Sequence, residues 1–315
     1  MLNRRQLRVR VLQNLYALHQ SQNPDDTKFW DSEMEKSTLQ IKHFYAVALK
    51  LFIDVLNFEE IDVIQRKQKH IPSEEDKIAT EKVANSQFVK TLTSNISLEK
   101  YLRKYKLDDF NDAALTSKLF KKFRASEQYS TFIAEPDNFA AEKLLIIKYF
   151  NEQFITSDDL DSHFDEIYLN WESDKKVILG LINNTLNKIG KKTTEDMSLE
   201  EISPNWPEDH DFMIQLFQET RAMDEKYSKI IADYSKNWDA ERVAIVDGLL
   251  IKMSICEFFN FPSIPVKVTI NEYVEIAKAY STPKSKVFVN GIIDKLLKDF
   301  TASGEIKKSG RGLVG

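Results

Sequence analysis

The sequence predicts an all-α protein, and three observations carry that prediction. Its 315 residues include only eight glycines and eight prolines, which suits long helices and argues against a turn-rich β architecture. Apolar residues recur at three- and four-residue spacing, and one late segment is apolar almost all round. Capping residues stand where several of these runs begin. With 42% hydrophobic residues, the chain holds enough apolar material for a sizeable core in one large or two ordinary domains.

Residues 3–19 read as the first helix. Asn3 is placed to cap it, and Gln6 three positions later completes a capping-box pattern. Leu7, Val11, Leu15 and Leu18 recur at helical spacing and form its buried face. Arg5, Arg8, Leu12 and Tyr16 make a second stripe on the neighbouring flank. Cations in a first turn oppose the helix dipole at about 0.3–1 kcal/mol each. Arginines there gain nothing for the helix and point instead to an external anion.

After the loop "HQSQNPDD", helices are predicted near 32–67, 80–105, 112–127, 137–152, 157–169 and 172–190. "EKLLIIKYF" has the composition of a strand, but its flanks "DNFAAE" and "NEQF" favour a helix. No fixed repeat period is visible, so a solenoid is not proposed. Residues 195–210, with Pro204 and Pro207, read as a linker. An amphipathic helix follows over 209–235, and Asp239 is placed to cap the next. That one, "ERVAIVDGLLIKMSICEFF", has the pattern of the central member of a bundle. "NFPSIP" breaks the chain before a helix over 266–280. Thr282 and Pro283 then offer a cap and a favoured first position for a last helix ending near Phe300. The tail 303–315 holds four of the eight glycines with Lys307, Lys308 and Arg311, and reads as flexible and basic.

Charge and composition exclude several classes of function. The formal net charge is −5; the first twenty residues carry +4, leaving −9 for the remainder. A uniformly basic nucleic-acid coat is excluded, and a polyanion site must be a local patch. Cys256 is the single cysteine, so no internal disulfide forms and a cytoplasmic, reducing setting is expected. No apolar run approaches the roughly 18–20 residues that span a bilayer, so no membrane is expected as a partner. The first twenty residues share the acid-free, arginine-bearing character of a transit peptide, but lack its serine enrichment and have a structural role as a helix. The four glycines before residue 303 are isolated, so no phosphate-cradling loop exists. No two histidines stand at metal-ligand spacing, and His163 with Glu166 reads as a solvated pair. Cys256 reads as an inert core thiol. The expectation is a protein that is not an enzyme, with no metal and no cofactor.

The C-terminal third carries a resemblance. "IPVKVTINEYVEIAK" (264–278) followed by "SKVFVNGIIDK" (285–295) resembles the signature of the NusB family of transcription antitermination proteins. "RVAIVDGLLIKMSICEF" is similar to that family's central helix, and "RRQLRVRVLQNLY" to its N-terminal arginine-rich helix. The resemblance implies an all-α, NusB-like pair of helical bundles with an extra inserted helical region. Residues 1–23 would be the arginine-rich helix, 24–205 the insertion, 206–302 the core helices and 303–315 the tail. It also implies binding of boxA-like single-stranded RNA in ribosomal RNA leader transcripts, together with NusE, a small-subunit ribosomal protein. The pair would join the RNA polymerase antitermination complex and suppress premature termination.

By the same resemblance, Arg4, Arg5, Arg8 and Arg10 align with RNA-binding arginines and Tyr16 with a tyrosine beside them. Tyr16 offers a flat face for a base or packs at the helix edge. Lys284, Lys286, Phe288 and Asn290 fall in a second RNA-contacting region, where Phe288 stacks on a base or fills the core. Asn271 and Glu272 read mainly as structural. Asp247 and Glu241 are candidates for the partner surface. Cys256 replaces the family's tyrosine, Ser281 its usual glycine, and Lys284 an acidic or small residue. A methyltransferase that uses such a domain needs a glycine-bearing cofactor loop and a catalytic cysteine, which this chain lacks. A helical interaction scaffold without specific RNA binding is the alternative reading, favoured by the insertion and the acidic remainder.

Overall fold

The computed structural model describes residues 1–107, 110, 112–235 and 244–313, and no strand occurs among them. In chain order the helices are α1 (Arg4–Gln20), α2 (Thr27–Lys67), α3 (Glu74–Lys77), α4 (Gln87–Thr93), α5 (Ile96–Tyr105), α6 (Ala113–Arg124), α7 (Glu127–Ala134) and α8 (Phe139–Tyr149). A π-helical turn at Phe150–Phe154 follows. Then come α9 (Asp158–Ile167), α10 (Trp171–Lys188), α11 (Trp206–Ala222), α12 (Asp224–Tyr234), α13 (Ile245–Asn260), α14 (Val266–Tyr280) and α15 (Ser285–Ala302), with a short 3₁₀ turn at Gly310–Leu313. The expected cap at Asp239 lies outside the described residues. No helix among those described is long and apolar enough to cross a membrane.

Two predicted helices are each divided in two. The run 80–105 breaks at Asn95, whose side chain accepts from the Leu98 amide at 2.7 Å and donates to the Met197 carbonyl at 2.8 Å. One residue thereby caps α5 and ties it to a distant segment. The run 209–235 breaks at Met223, where Asp224 and Glu225 open α12 with acids suited to a helix start. α7 is a helix beyond those the sequence predicts, and Ser126 caps it by accepting from the Tyr129 amide. α15 begins at Ser285, two residues after the predicted Pro283.

The chain separates into two compact units, Leu39–Pro204 with Met1, and Leu2–Thr38 with Asn205–Gly315. In the second unit α13 is the hub, packing against α1, α11, α12, α14 and α15. Leu249, Leu250, Ile251, Met253, Ile255, Cys256 and Phe258 are all buried, and Lys252 is the one partly exposed residue of α13 between 249 and 258. Each such large apolar side chain stabilises the fold by about 1.5–3 kcal/mol. Burial pushes the Cys256 thiol up to about 11, consistent with an unreactive core position. The tail, expected to be flexible, is held at two points. The Ser309 amide donates to the Pro262 carbonyl at 3.0 Å, and that same oxygen leaves Gly312 no room for a Cβ, which would lie 2.0 Å away.

The Leu39–Pro204 unit is built on an aromatic cluster. Phe52 of α2 meets Phe150 and Phe154 of the π turn at ring-centroid distances of 5.2 and 4.9 Å, while Tyr149 stacks on Phe123 at 4.0 Å. Beside it Glu59 is fully buried, accepting from the Tyr129 hydroxyl at 2.5 Å and the Ala84 amide at 2.8 Å. Burial, against those hydrogen bonds, pushes its carboxyl up to about 7.

A carboxyl whose pKa is raised on folding binds its proton more tightly in the native state. Its contribution is therefore fully present below the unfolded value of 4.5 and is lost as pH rises through about 7. Relative to the parent protein, Glu59→Gln should gain about 2–3 kcal/mol of stability between pH 5 and pH 8. Urea denaturation of both proteins at the two pH values measures this gain, and a constant difference contradicts it.

Candidate nucleic-acid interface

The N-terminal helix forms where its cap predicts. Asn3 accepts from the Gln6 amide at 2.9 Å, and Gln6 accepts from the Asn3 amide at 2.9 Å. The arginines that follow have different fates. Arg4 pairs with Glu208 at 2.5 Å and Asp209 at 3.1 Å. Arg5 makes a bidentate pair with Glu272 at 2.8 and 2.9 Å, and the hydrogen bonding to Glu272 raises its pKa. Half the Arg5 side chain remains exposed.

Arg8 and Arg10 correct the expectation of four arginines facing a ligand. Both are buried, Arg8 at 2% exposure. Arg8 donates from Nε and Nη2 to the two Glu257 carboxylate oxygens at 2.8 and 2.7 Å. Burial works most strongly against its charge, but the Glu257 carboxylate and its hydrogen bonds outweigh that and leave the pKa raised. Glu257 also accepts from Thr269 Oγ1 at 2.7 Å and the Tyr273 hydroxyl at 3.1 Å. A carboxylate has about four acceptor sites, so this one is saturated. Tyr16, at the far end of the same stripe, is 41% exposed.

On α15, Lys284 and Lys286 are exposed at the helix start, and Val287 beside them is 65% exposed. Phe288 takes the core alternative of its two readings, buried by its helical spacing with Val289 and Ile292. Asn290 is half-buried and donates to Asp294 at 3.1 Å. Asp247, expected at a partner surface, is also buried: Ser281 donates to it at 2.5 Å, fixing the turn between α14 and α15 to α13. The turn between α14 and α15, which carries Ser281, covers it. Glu241 lies outside the described residues. Asn271 is exposed, and Glu272 has the structural role assigned to it, holding Arg5.

The two predicted cationic regions flank one helix, since α14 packs against both α1 and α15. Glu275 of α14 is lowered first by its bond to Lys278, with further contributions from Arg5 of α1 and Lys286 of α15. A cleft of about 730 Å³ is lined by Arg4, Arg5, Arg8, Glu208, Asp209 and Glu272 among others. Its mixed charge shows that the arginines are neutralised locally. Among the described residues no group of three or more His, Cys, Asp or Glu side chains is placed to hold a metal ion. Sequence reasoning gave Glu257 no role. Its signal was available: a lone acid in the apolar run "MSICEFF" needs a buried cation.

Comparison with known proteins points one way. A family model described as "NusB family" matches residues 173–298, reaching back into α10 and so into the stretch read as insertion. The transcription antitermination protein NusB of Salinibacter ruber is 43% identical over 109 residues, 35% of this chain and 68% of that protein. Its namesake in Chloroherpeton thalassium is 48% identical over 84 residues, 27% of this chain and 40% of that protein. The one in Dictyoglomus turgidum is 34% identical over 108 residues, 34% of this chain and 73% of that protein. No solved structure gives a significant match.

Removing one partner of the buried pair should be costly. Arg8→Met leaves the Glu257 charge uncompensated and should destabilise the protein by about 3–5 kcal/mol, whereas Arg8→Met with Glu257→Met should recover much of that loss. Urea denaturation at pH 7 gives both values. A single-variant cost below about 1 kcal/mol would show that α1 is held by other contacts.

Proposed function

The chain belongs to the NusB family of transcription antitermination factors, and on that premise we propose that it acts by binding boxA-like single-stranded RNA in ribosomal RNA leader transcripts together with NusE. The heterodimer joins the RNA polymerase antitermination complex in the cytoplasm, and the role needs no catalysis. The observation that carries this reading is that α14 packs against both α1 and α15, with half-exposed Arg5 held on α14 by Glu272 and with Lys284 and Lys286 exposed at the α15 start. The N-terminus of α15 adds its dipole to those two lysines, a combination that attracts phosphate. Tyr16 supplies an exposed ring for a base. Arg8, Arg10 and Phe288 act from within, setting the positions of the residues that meet RNA.

Arg4 and Arg5 reach phosphate by exchanging carboxylate partners. Such partly exposed pairs contribute about 1 kcal/mol or less, so a polyanion displaces them at little cost. The same pairs favour a second reading, in which the acids neutralise the arginines permanently and the protein is a scaffold for protein contacts without specific RNA binding.

Fluorescence anisotropy with a labelled boxA-like RNA separates the two readings, run against a scrambled RNA with and without the NusE homologue. The RNA reading expects preference for boxA, strengthened by NusE. Replacing Arg5, Lys284 and Lys286 with alanine should then weaken binding and flatten the log–log salt slope by about 0.7 per lost phosphate contact, with the helical circular dichroism spectrum unchanged. Equal affinity for both RNAs, even with NusE, leaves the scaffold reading standing.

A further inference from the structure

We propose that the Leu39–Pro204 unit carries a second surface for single-stranded RNA, formed by α5 and the adjoining stretch of α2. The segment Lys100–Lys106 holds four cations and no acid. Arg103 is taken up by Glu99 at 2.5 Å, and Lys42 of α2 by Glu201 at 3.0 Å. Lys100, Lys104 and Lys106 are exposed and have no ion-pair partner among the described residues.

Three partly exposed rings lie among these cations. Tyr101 and Tyr105 are 4.8 Å apart by ring centroid, and His43 lies 4.5 Å from Tyr105 and 5.8 Å from Tyr101. The His43 Nδ1 and the Tyr101 hydroxyl are 3.1 Å apart, which fixes both rings. Burial lowers the His43 pKa and so favours the uncharged ring. The Lys104 ammonium sits 4.9 Å from the Tyr105 centroid and that of Lys42 5.9 Å from Tyr101.

The helix dipole explains cations in the last turn of α5, but not Lys100 one turn earlier, nor the gathered rings. Lys106 closes the helix at φ 55°, a left-handed position that favours glycine, and the chain spends a lysine there. Cations for phosphate and flat faces for bases are what an unpaired strand requires. An acidic polypeptide would use the cations and leave the rings idle. The choice of RNA as occupant rests on the reading of the preceding subsection.

The test uses the full chain and a labelled 20-nucleotide oligouridine, so that it does not depend on boxA recognition. Lys100→Ala, Lys104→Ala and Lys106→Ala together should weaken binding about fivefold or more and lower the log–log salt slope by about 2, at 0.7 per phosphate. Tyr105→Leu should weaken binding with the slope unchanged, the mark of a lost stacking contact. On the unaltered protein, 5-iodouridine in the same oligomer should crosslink to the peptide containing Tyr101 and Tyr105, a readout that survives if a variant fails to fold. Unchanged affinity in the variants, or crosslinks confined to α1 and α15, overturns the proposal and assigns the patch to an acidic protein. Loss of boxA preference alongside intact oligouridine effects removes the preceding reading and keeps this surface.

Discussion

One saturated carboxylate, Glu257, fixes how three helices of the Leu2–Thr38 and Asn205–Gly315 unit stand against one another. It lies on α13 and is fully buried, and it takes two hydrogen bonds from Arg8 of α1 and one each from Thr269 and Tyr273 of α14. A buried ion pair of this kind contributes little net stability, because desolvating two charges offsets most of their attraction. Its physical consequence is positional. Rotating α1 by one residue would withdraw the guanidinium and strand a charge in the core. The bidentate geometry of arginine and carboxylate leaves few other arrangements.

That constraint decides which parts of α1 a ligand can reach. Arg5, Arg8, Leu12 and Tyr16 share one stripe in sequence, yet the stripe sinks in its middle: Arg8 and Leu12 are buried, while Arg5 and Tyr16 keep nearly half their surface. Neighbouring helices cover the centre of α1 and leave its ends open. The arginine richness of the segment therefore serves two purposes, an internal tie through Arg8 and an outward charge at the first turn. An alignment of residue types does not separate the two.

Much of the fold was legible because its signals are local. The Asn3–Gln6 capping box and the limits of α14 at 266–280 follow directly from residue pattern. The breaks at Asn95 and Met223 were not legible, since both interrupt amphipathic runs whose periodicity continues across them. Asn95 is decided by a carbonyl a hundred residues away. The site divides in the same way. Lys284 and Lys286 were readable as exposed cations at a helix start, whereas the burial of Arg8, Phe288 and Asp247 depends on which helices cover them. The α5 patch is not legible in the sequence because His43 is distant from Tyr101 and Tyr105 and joins them only through folding.

The Glu257 residue also explains how the unit tolerates a long segment between α1 and its other helices. Its carboxylate is held by Arg8 near the chain start, and its backbone carbonyl by Lys308 near the end, at 3.2 Å. Lys308 also donates to the Phe261 carbonyl at 3.0 Å, so one cation caps the C-terminal end of α13. Loop closure grows only logarithmically with length, at about 0.6 kcal/mol per doubling, and a segment that folds on its own core costs less still. Residues 39–204 have such a core in the cluster around Phe52, Phe123 and Tyr149. A folded insertion therefore separates α1 from α13 in sequence without the closure cost of an unstructured chain of the same length. The bundle keeps its first helix because the core is electrostatically incomplete without it.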